Sequence, residues 1–171
     1  VPFVTSWAAI DMVSHDHPLR VGAHGVYGDR VANYAVQNAD LLVILGSRLD
    51  TRQTGGNLKL FSRASRKIMV DIDMGEIRKL EERGMPIDIA LQGTVEQFIQ
   101  EVNMEPRPEW EATISEWKKE FGVEYPREGN VYPFLSGLKL PEECIIIPDQ
   151  GGNMVWTMQS LHLNGKQKLF T

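Results

Sequence analysis

Ala39-Asp40-Leu41-Leu42-Val43-Ile44-Leu45-Gly46-Ser47-Arg48-Leu49-Asp50 is the stretch whose reading decides the fold. An unbroken apolar run ending in glycine is the pattern of a parallel strand buried on both faces. Lys67-Ile68-Met69-Val70-Asp71 repeats the plan and ends in a carboxylate, with Ile72-Asp73 after it. In an open α/β sheet, ligands sit beyond the carboxyl ends of the strands. Gly46 lets backbone approach a phosphate there, and Asp71 or Asp73 can accept a ribose hydroxyl. The spacing alone leaves two readings open, a nucleotide site or two buried strands joined by ordinary turns.

Working outward, strand Phe3–Thr5 leads through Ser6, a candidate N-cap, into a helix expected near Trp7–Val13. His15 to Pro18 is a loop, because proline disfavours helix at the residue before it. A glycine loop follows at 22–28. Asp29 is an N-cap candidate for a helix over Arg30–Asn38, with Val31, Tyr34 and Ala35 on one face. The loop Thr51–Asn57 holds Gly55 and Gly56 and is expected to be mobile. After strand 68–71 come a charged helix over Glu76–Arg83, a strand over Ile87–Leu91, and a helix capped by Thr94 with Val95, Phe98, Ile99 and Val102 inward. Strands alternating with helices predict an α/β fold with a doubly wound parallel sheet over residues 1–102. Residues 103–130 read as a Pro-containing linker, a helix bearing Trp110, Ile114, Trp117 and Phe121 at packing spacing, and a polar loop over 122–130. Residues 131–171 read as a helical and βα extension: helix Tyr132–Leu138, strand Cys144–Ile147, the turn Asp149-Gln150-Gly151-Gly152-Asn153, and helix Met154–Leu161.

The chain has 171 residues, enough to bury a core without covalent staples, and a formal net charge of −5. Mixed charge of that sign argues against a nucleic-acid or anionic-membrane surface. With one cysteine, Cys144, no disulfide can form within the chain, and a reducing cytoplasm is the compartment it suits. Cys144 opens an apolar strand and reads as a small buried hydrophobe. No apolar run reaches membrane-spanning length. The chain starts on a strand without methionine and stops where another strand begins, so it is expected to be an excerpt of a longer polypeptide.

His15, Asp16 and His17 are too close in sequence to turn easily toward one ion, and no metal site is expected there. His24 is expected to line a pocket or bond to backbone, and His162 to lie at the surface. A strand ending in Gly151-Gly152 before a helix offers free amides to an anion, though a plain βα turn has the same spelling.

Taken in order, several segments resemble the central domain of thiamine-diphosphate-dependent enzymes of the acetohydroxyacid (acetolactate) synthase group. They are Val1-Pro2-Phe3-Val4-Thr5, Asp16-His17-Pro18-Leu19, Gly22-Ala23-His24-Gly25-Val26-Tyr27-Gly28, Ala32-Asn33-Tyr34-Ala35, the stretch 39–50, and Val70-Asp71-Ile72-Asp73 with Glu76-Ile77. The resemblance implies a Rossmann-like domain that binds FAD or ADP in some members. Gly22, Gly25, Gly46, Arg48, Asp71 and Asp73 would then be binding residues. Gly46-Ser47-Arg48-Leu49-Asp50-Thr51-Arg52 retains the family's "G-x-R-x-D-x-R" loop, which adds Arg52. Where relatives carry "G-D-V", this chain has Gly93-Thr94-Val95, a departure that removes a carboxylate from the adenosine side.

The segment from 145 to 160 resembles the start of the same enzymes' diphosphate-binding domain. Gly151, Trp156 and Gln159 fit its pattern, while Gly152 and Asn153 replace Gln-His. Contacts to thiamine diphosphate are thereby implied for Gly151, Asn153 and, through backbone alone, Gly152. The parent would decarboxylate a 2-oxo acid and join the product to a second carbonyl, as a homodimer or homotetramer using thiamine diphosphate and Mg²⁺. The glutamate that activates the cofactor and the segment that holds Mg²⁺ have no match, so the chain alone is expected to be inactive. Two rivals are a non-catalytic spacing and dimerising domain with a vestigial pocket, and an NAD-dependent deacylase, which the lack of zinc-binding cysteine pairs argues against.

Overall fold

The computed structural model describes residues 1–121 and 131–170. Among the described residues, seven strands, β1 (Phe3–Thr5), β2 (Arg20–Ala23), β3 (Leu41–Leu45), β4 (Arg66–Asp71), β5 (Ile89–Gln92), β6 (Ile145–Ile146) and β7 (Lys168–Leu169), are interspersed with seven α-helices. The helices are α1 (Arg30–Asn38), α2 (Thr51–Thr54), α3 (Met74–Glu82), α4 (Val95–Glu101), α5 (Pro108–Phe121), α6 (Val131–Ser136) and α7 (Gly152–Ser160). Every strand pairing described is parallel. β3, β4 and β5 form one ladder in that order. β1 pairs with β2 separately, with a register shift between Phe3 and Val4. The expected parallel α/β domain is therefore present, with its hydrogen bonding divided into two ladders. Val4 of β1 packs against the apolar cluster that also serves β3 and β4.

That cluster is built as the apolar runs dictate. Ile44 and Met69 from the strands meet Val36 of α1, Ile77 and Leu80 of α3, and Leu58 and Phe61 at the two ends of a 3-10 turn. The charged helix read over Glu76–Arg83 starts two residues earlier, because Asp73 caps it by accepting from the Gly75 amide (2.7 Å). On α5 the aromatic stripe packs on α1 as read: Tyr34 meets Trp117 and Phe121 edge to face, and Ile114 is buried between the helices.

Several expectations are corrected. The helix near Trp7–Val13 is a single 3-10 turn, Trp7–Ala9. The Ser6 side chain makes no capping bond, and Asp11 is turned away to accept from the Leu169 amide (2.9 Å). The loop over Thr51–Asn57 begins with α2, whose amides at Arg52 and Gln53 are capped by the Asp50 carboxylate. Gly55 closes that helix at φ 76. On α4 no residue is buried, and Ile99 is 56% exposed. Val95, Phe98 and Val102 are half-buried as read, whereas Ile99 projects outward beside β5, an edge strand with all four residues exposed. The strand read over Cys144–Ile147 is shorter, Ile145–Ile146, and Cys144 is half-buried. The polar loop read over 122–130 lies outside the described residues.

Residues 131–170 pack on the amino-terminal part of the chain. Met158, Leu161, Leu163 and Leu169 share an apolar cluster with Ile10 and Ala23. The Leu163 amide donates to Nδ1 of His15 (3.1 Å), and Gln159 donates to the Tyr27 carbonyl (2.9 Å). Among the described residues, no helix is long and apolar enough to cross a membrane.

Candidate functional site

The glycine loop after β2 is folded tightly on itself. Asn33, one turn into α1, holds Gly25 from both sides: its Oδ1 accepts from the Gly25 amide and its Nδ2 donates to the Gly25 carbonyl, each at 2.9 Å. Val26 donates to the Arg52 carbonyl (2.7 Å), Gly28 to the Gly25 carbonyl and Asp29 to the Ala23 carbonyl. Asp29 stands at the N-cap of α1, but its carboxylate accepts from the Ala23 amide (2.8 Å) and does not cap the helix. Close approach explains the glycines. A Cβ on Gly25, at φ 125, would lie 2.7 Å from the Arg52 carbonyl oxygen, and one on Gly22 would lie 2.4 Å from an Asp29 oxygen. The loop therefore brings backbone near the Arg52 segment while committing the amides of Ala23, His24, Gly25, Val26, Gly28 and Asp29 internally. Asn33 belongs to the Ala32-Asn33-Tyr34-Ala35 helix pattern, and its clamp on Gly25 is a role that the spacing does not reveal.

Beyond β3, Gly46 takes φ 55 and donates to the Val70 carbonyl (2.9 Å), which holds the turn against β4. Arg48 reaches out from it and pairs with Glu76 of α3 at 3.2 Å, leaving 76% of its side chain exposed. The salt bridge lowers the Glu76 carboxyl from its ordinary value, through its bonds to Lys79 and then Arg48. Arg52 lies exposed on α2, with no hydrogen bond or ion pair to its guanidinium among the described residues. Asp71 is buried at the end of β4 and accepts from the Asp73 amide (2.9 Å), while Asp73 caps α3. Thr94 forms a complete capping box with Gln97. The structure thus brings Gly25 and Arg52 together, and sets Gly46 and Arg48 between β3 and α3. Gly22 faces a different side, over Asp29.

At the second locus Gly151 is the N-cap of α7 at φ 87, with nothing within 4 Å of an added Cβ. No side chain caps this helix, and Gly151, Gly152 and Asn153 are exposed. Gly152 lies under the Trp156 ring, 2.9 Å from where a Cβ would be, so a larger residue there would displace the indole. A capless helix start of this kind offers backbone donors to an anion. The donor set suits one edge of a diphosphate. At the first locus the guanidinium groups of Arg48 and Arg52 suit phosphate on charge and geometry, whereas the glycine-loop amides are already spent.

Three histidines, His15, His17 and His24, are held by backbone. His24 is buried and its Nδ1 lies 3.1 Å from the Thr5 carbonyl; burial lowers its pKa. His15 and His17 face different partners, Leu163 and Phe3, and His162 is exposed with its ring 5.6 Å from that of His15.

Residues 1–102 match the family model of the thiamine pyrophosphate enzyme central domain. The chain is 30% identical over 176 residues to the acetolactate synthase isozyme 1 large subunit of Escherichia coli (strain K12), covering 100% of this chain and 31% of that protein. It is 28% identical to the isozyme 2 large subunit of the same organism, over 94% of this chain and 30% of that protein. With the acetolactate synthase large subunit of Parasynechococcus marenigrum (strain WH8102) it shares 31% identity, over 94% of this chain and 27% of that protein. The chain thus spans under a third of the length of these relatives. Its parallel α/β fold and the match over residues 1–102 place it in one family: the chain belongs to the thiamine pyrophosphate enzymes, through their central domain.

Proposed function

We propose that this chain is part of a thiamine-diphosphate-dependent carboligase of the acetolactate synthase kind, acting on 2-oxo acids. The observation that carries this is the reach of the similarity. It covers the whole chain, including β6 and α7, and not only the 102 residues of the central domain. In this reading residues 1–102 supply an FAD- or ADP-binding-like domain, and Gly151, Gly152 and Asn153 supply one edge of the diphosphate site. Arg48 and Arg52 would hold the phosphates of a dinucleotide by charge-assisted bonds. Gly25 and Gly46 allow close approach of backbone, Gly22 shapes the loop over Asp29, and Asp71 and Asp73 mark the ribose side. Thiamine diphosphate, when bound with Mg²⁺, supplies the electron sink for decarboxylation and carbon–carbon bond formation. A homodimer or homotetramer in a reducing cytoplasm completes this reading.

The test has two arms. The complete polypeptide, supplied with thiamine diphosphate and Mg²⁺, should form acetolactate from pyruvate; no carboligation would overturn the assignment. In the second arm, Arg48→Ala should weaken FAD or ADP binding by about 1.5–3 kcal/mol, the scale of a hydrogen bond to a charged group. Unchanged affinity by calorimetry would remove Arg48 from the site. One observation favours a second reading, a structural domain with a vestigial pocket: the glycine-loop amides are internally bonded and Thr94 is occupied as a cap. A complete polypeptide that forms acetolactate yet binds neither flavin nor ADP would support that reading for residues 1–102.

A further inference from the structure

Gly22 opens onto a cavity that the cofactor reading leaves unused. Its volume is about 280 Å³, and it lies along the outer edge of β2, bounded by the first turn of α1, by α5 and by α7. β2 is hydrogen-bonded only to β1 among the described strands, so this edge has no neighbouring strand. Lys118 of α5 crosses to it and donates to the Arg20 carbonyl at 2.7 Å.

Three cationic side chains, Arg20, Arg30 and Lys118, line the cavity, against one carboxylate, Asp29. That carboxylate is drawn in over Gly22 by the Ala23 amide. Arg20 is 5% exposed; its Nη1 donates to the carbonyls of Ile10 and Val13, and no ion pair engages it among the described residues. A guanidinium has five donors in a fixed fork, so this arrangement leaves bonding capacity facing the space. Burial lowers the pKa of both Arg20 and Lys118, and the Arg20 charge adds to the lowering at Lys118. The same space receives the amino end of α1, whose N-cap residue Asp29 makes no side-chain bond to the helix. The remaining wall is mixed: His15, Gln159 and His162 are polar, while Val21, Met158, Leu161 and Phe121 form an apolar part.

We infer that this cavity binds a small organic phosphate, with its dianionic group among Arg20, Arg30 and Lys118 and its carbon portion against Met158 and Leu161. An excess of positive charge held partly out of water is relieved by such a dianion, and the start of α1 adds attraction of the same sign. Neither Arg48 nor Arg52 borders the cavity, so the site is separable from the dinucleotide face proposed above.

The chain is titrated by calorimetry with inorganic phosphate, glycerol 3-phosphate and glycerol, at constant ionic strength held with chloride. Saturable binding of glycerol 3-phosphate, tighter than that of phosphate, with none for glycerol, is expected. Arg20 is bonded to two carbonyls and its loss threatens folding, so the exposed pair carries the test. Lys118→Gln and Arg30→Gln should each weaken binding about tenfold or more, the equivalent of one bond to a charged group. Their circular dichroism and thermal unfolding should match the parent chain, and Arg48→Ala should leave this affinity unchanged. Absence of saturable binding would overturn the inference, as would a response equal to that of chloride. So would binding that survives Lys118→Gln with Arg30→Gln, or that is lost with Arg48→Ala.

Discussion

At the scale of single residues, the glycines of this chain divide by what surrounds them. Gly25 is held at φ 125 with the Arg52 carbonyl against it, whereas Gly55, at φ 76, has nothing within 4 Å. Gly55→Ala should cost about 1 kcal/mol, for the left-handed backbone alone. Gly25→Ala adds a collision with the Arg52 carbonyl that strains the loop held by Asn33, and should cost about 2–3 kcal/mol or more. Urea unfolding of the two variants checks the order. His15 gives a second expectation. Burial, with Arg20 and His162 nearby, lowers its pKa from 6.5 to about 4, and its Nδ1 accepts from Leu163. The unfolded chain therefore takes up the proton first as pH falls. The stability that His15 contributes is complete above about 6.5 and is lost as pH falls to about 4. His15→Gln, which keeps an acceptor but cannot be protonated, should lose less stability over that window in urea melts. Arg48 shows what single residues hide from the sequence. Asp50 is the carboxylate nearest in sequence, yet Glu76 of α3, 28 positions on, is the partner.

At the scale of elements, the parts legible in the sequence are those whose pattern matches their burial. β3 and β4 are continuous apolar runs, and each pairs with a parallel neighbour in full register. The stripe on α5 predicted packing and meets Tyr34 of α1. The misread elements are those whose polar side chains are drawn elsewhere or that lie at the edge of the sheet. Asp11 leaves the turn after Trp7 for Leu169, and α4 lies beside an exposed edge strand. On such a helix the cap matters more than packing. Thr94→Ala removes the bond to the Gln97 amide and one half of the capping box. It should cost about 1 kcal/mol of local helix stability. Hydrogen exchange should show faster opening of α4 amides, with the amides of β3 and β4 unchanged. Around the candidate site, the turn after β3 and the start of α7 are legible as turns, because glycine after an apolar run marks where the chain reverses. The Arg20 and Lys118 pair is not, since 98 residues separate them and only the packing of α5 joins them.

At the scale of the whole molecule, two loci with different prospects share one fold. Gly151, Gly152 and Asn153 offer one set of donors, and no group of metal-binding side chains occurs among the described residues. A few hydrogen bonds must overcome several kcal/mol of association entropy. The isolated chain should therefore bind thiamine diphosphate more weakly than about millimolar, roughly −4 kcal/mol. It should form no acetolactate from pyruvate, even with Mg²⁺ present. Titration and a product assay on the same sample check both; micromolar binding or turnover would show a complete site within this chain.

The bond from the Leu169 amide to Asp11 joins residues 158 positions apart. Its consequence lies in the order in which the chain is made. During synthesis the amino-terminal strands and α1 emerge long before Leu169 exists, and early domains begin to fold as they emerge. Through that interval Asp11 is a carboxylate without its donor, and Ile10 and Ala23 lack the Met158, Leu163 and Leu169 side chains that cover them. The apolar patch must wait on the ribosome for its lid, and closure over so long a span is a late and slow event. A nascent chain released before that point would carry an exposed patch beside an unpaired strand edge, the kind of surface that chaperones bind and that drives aggregation.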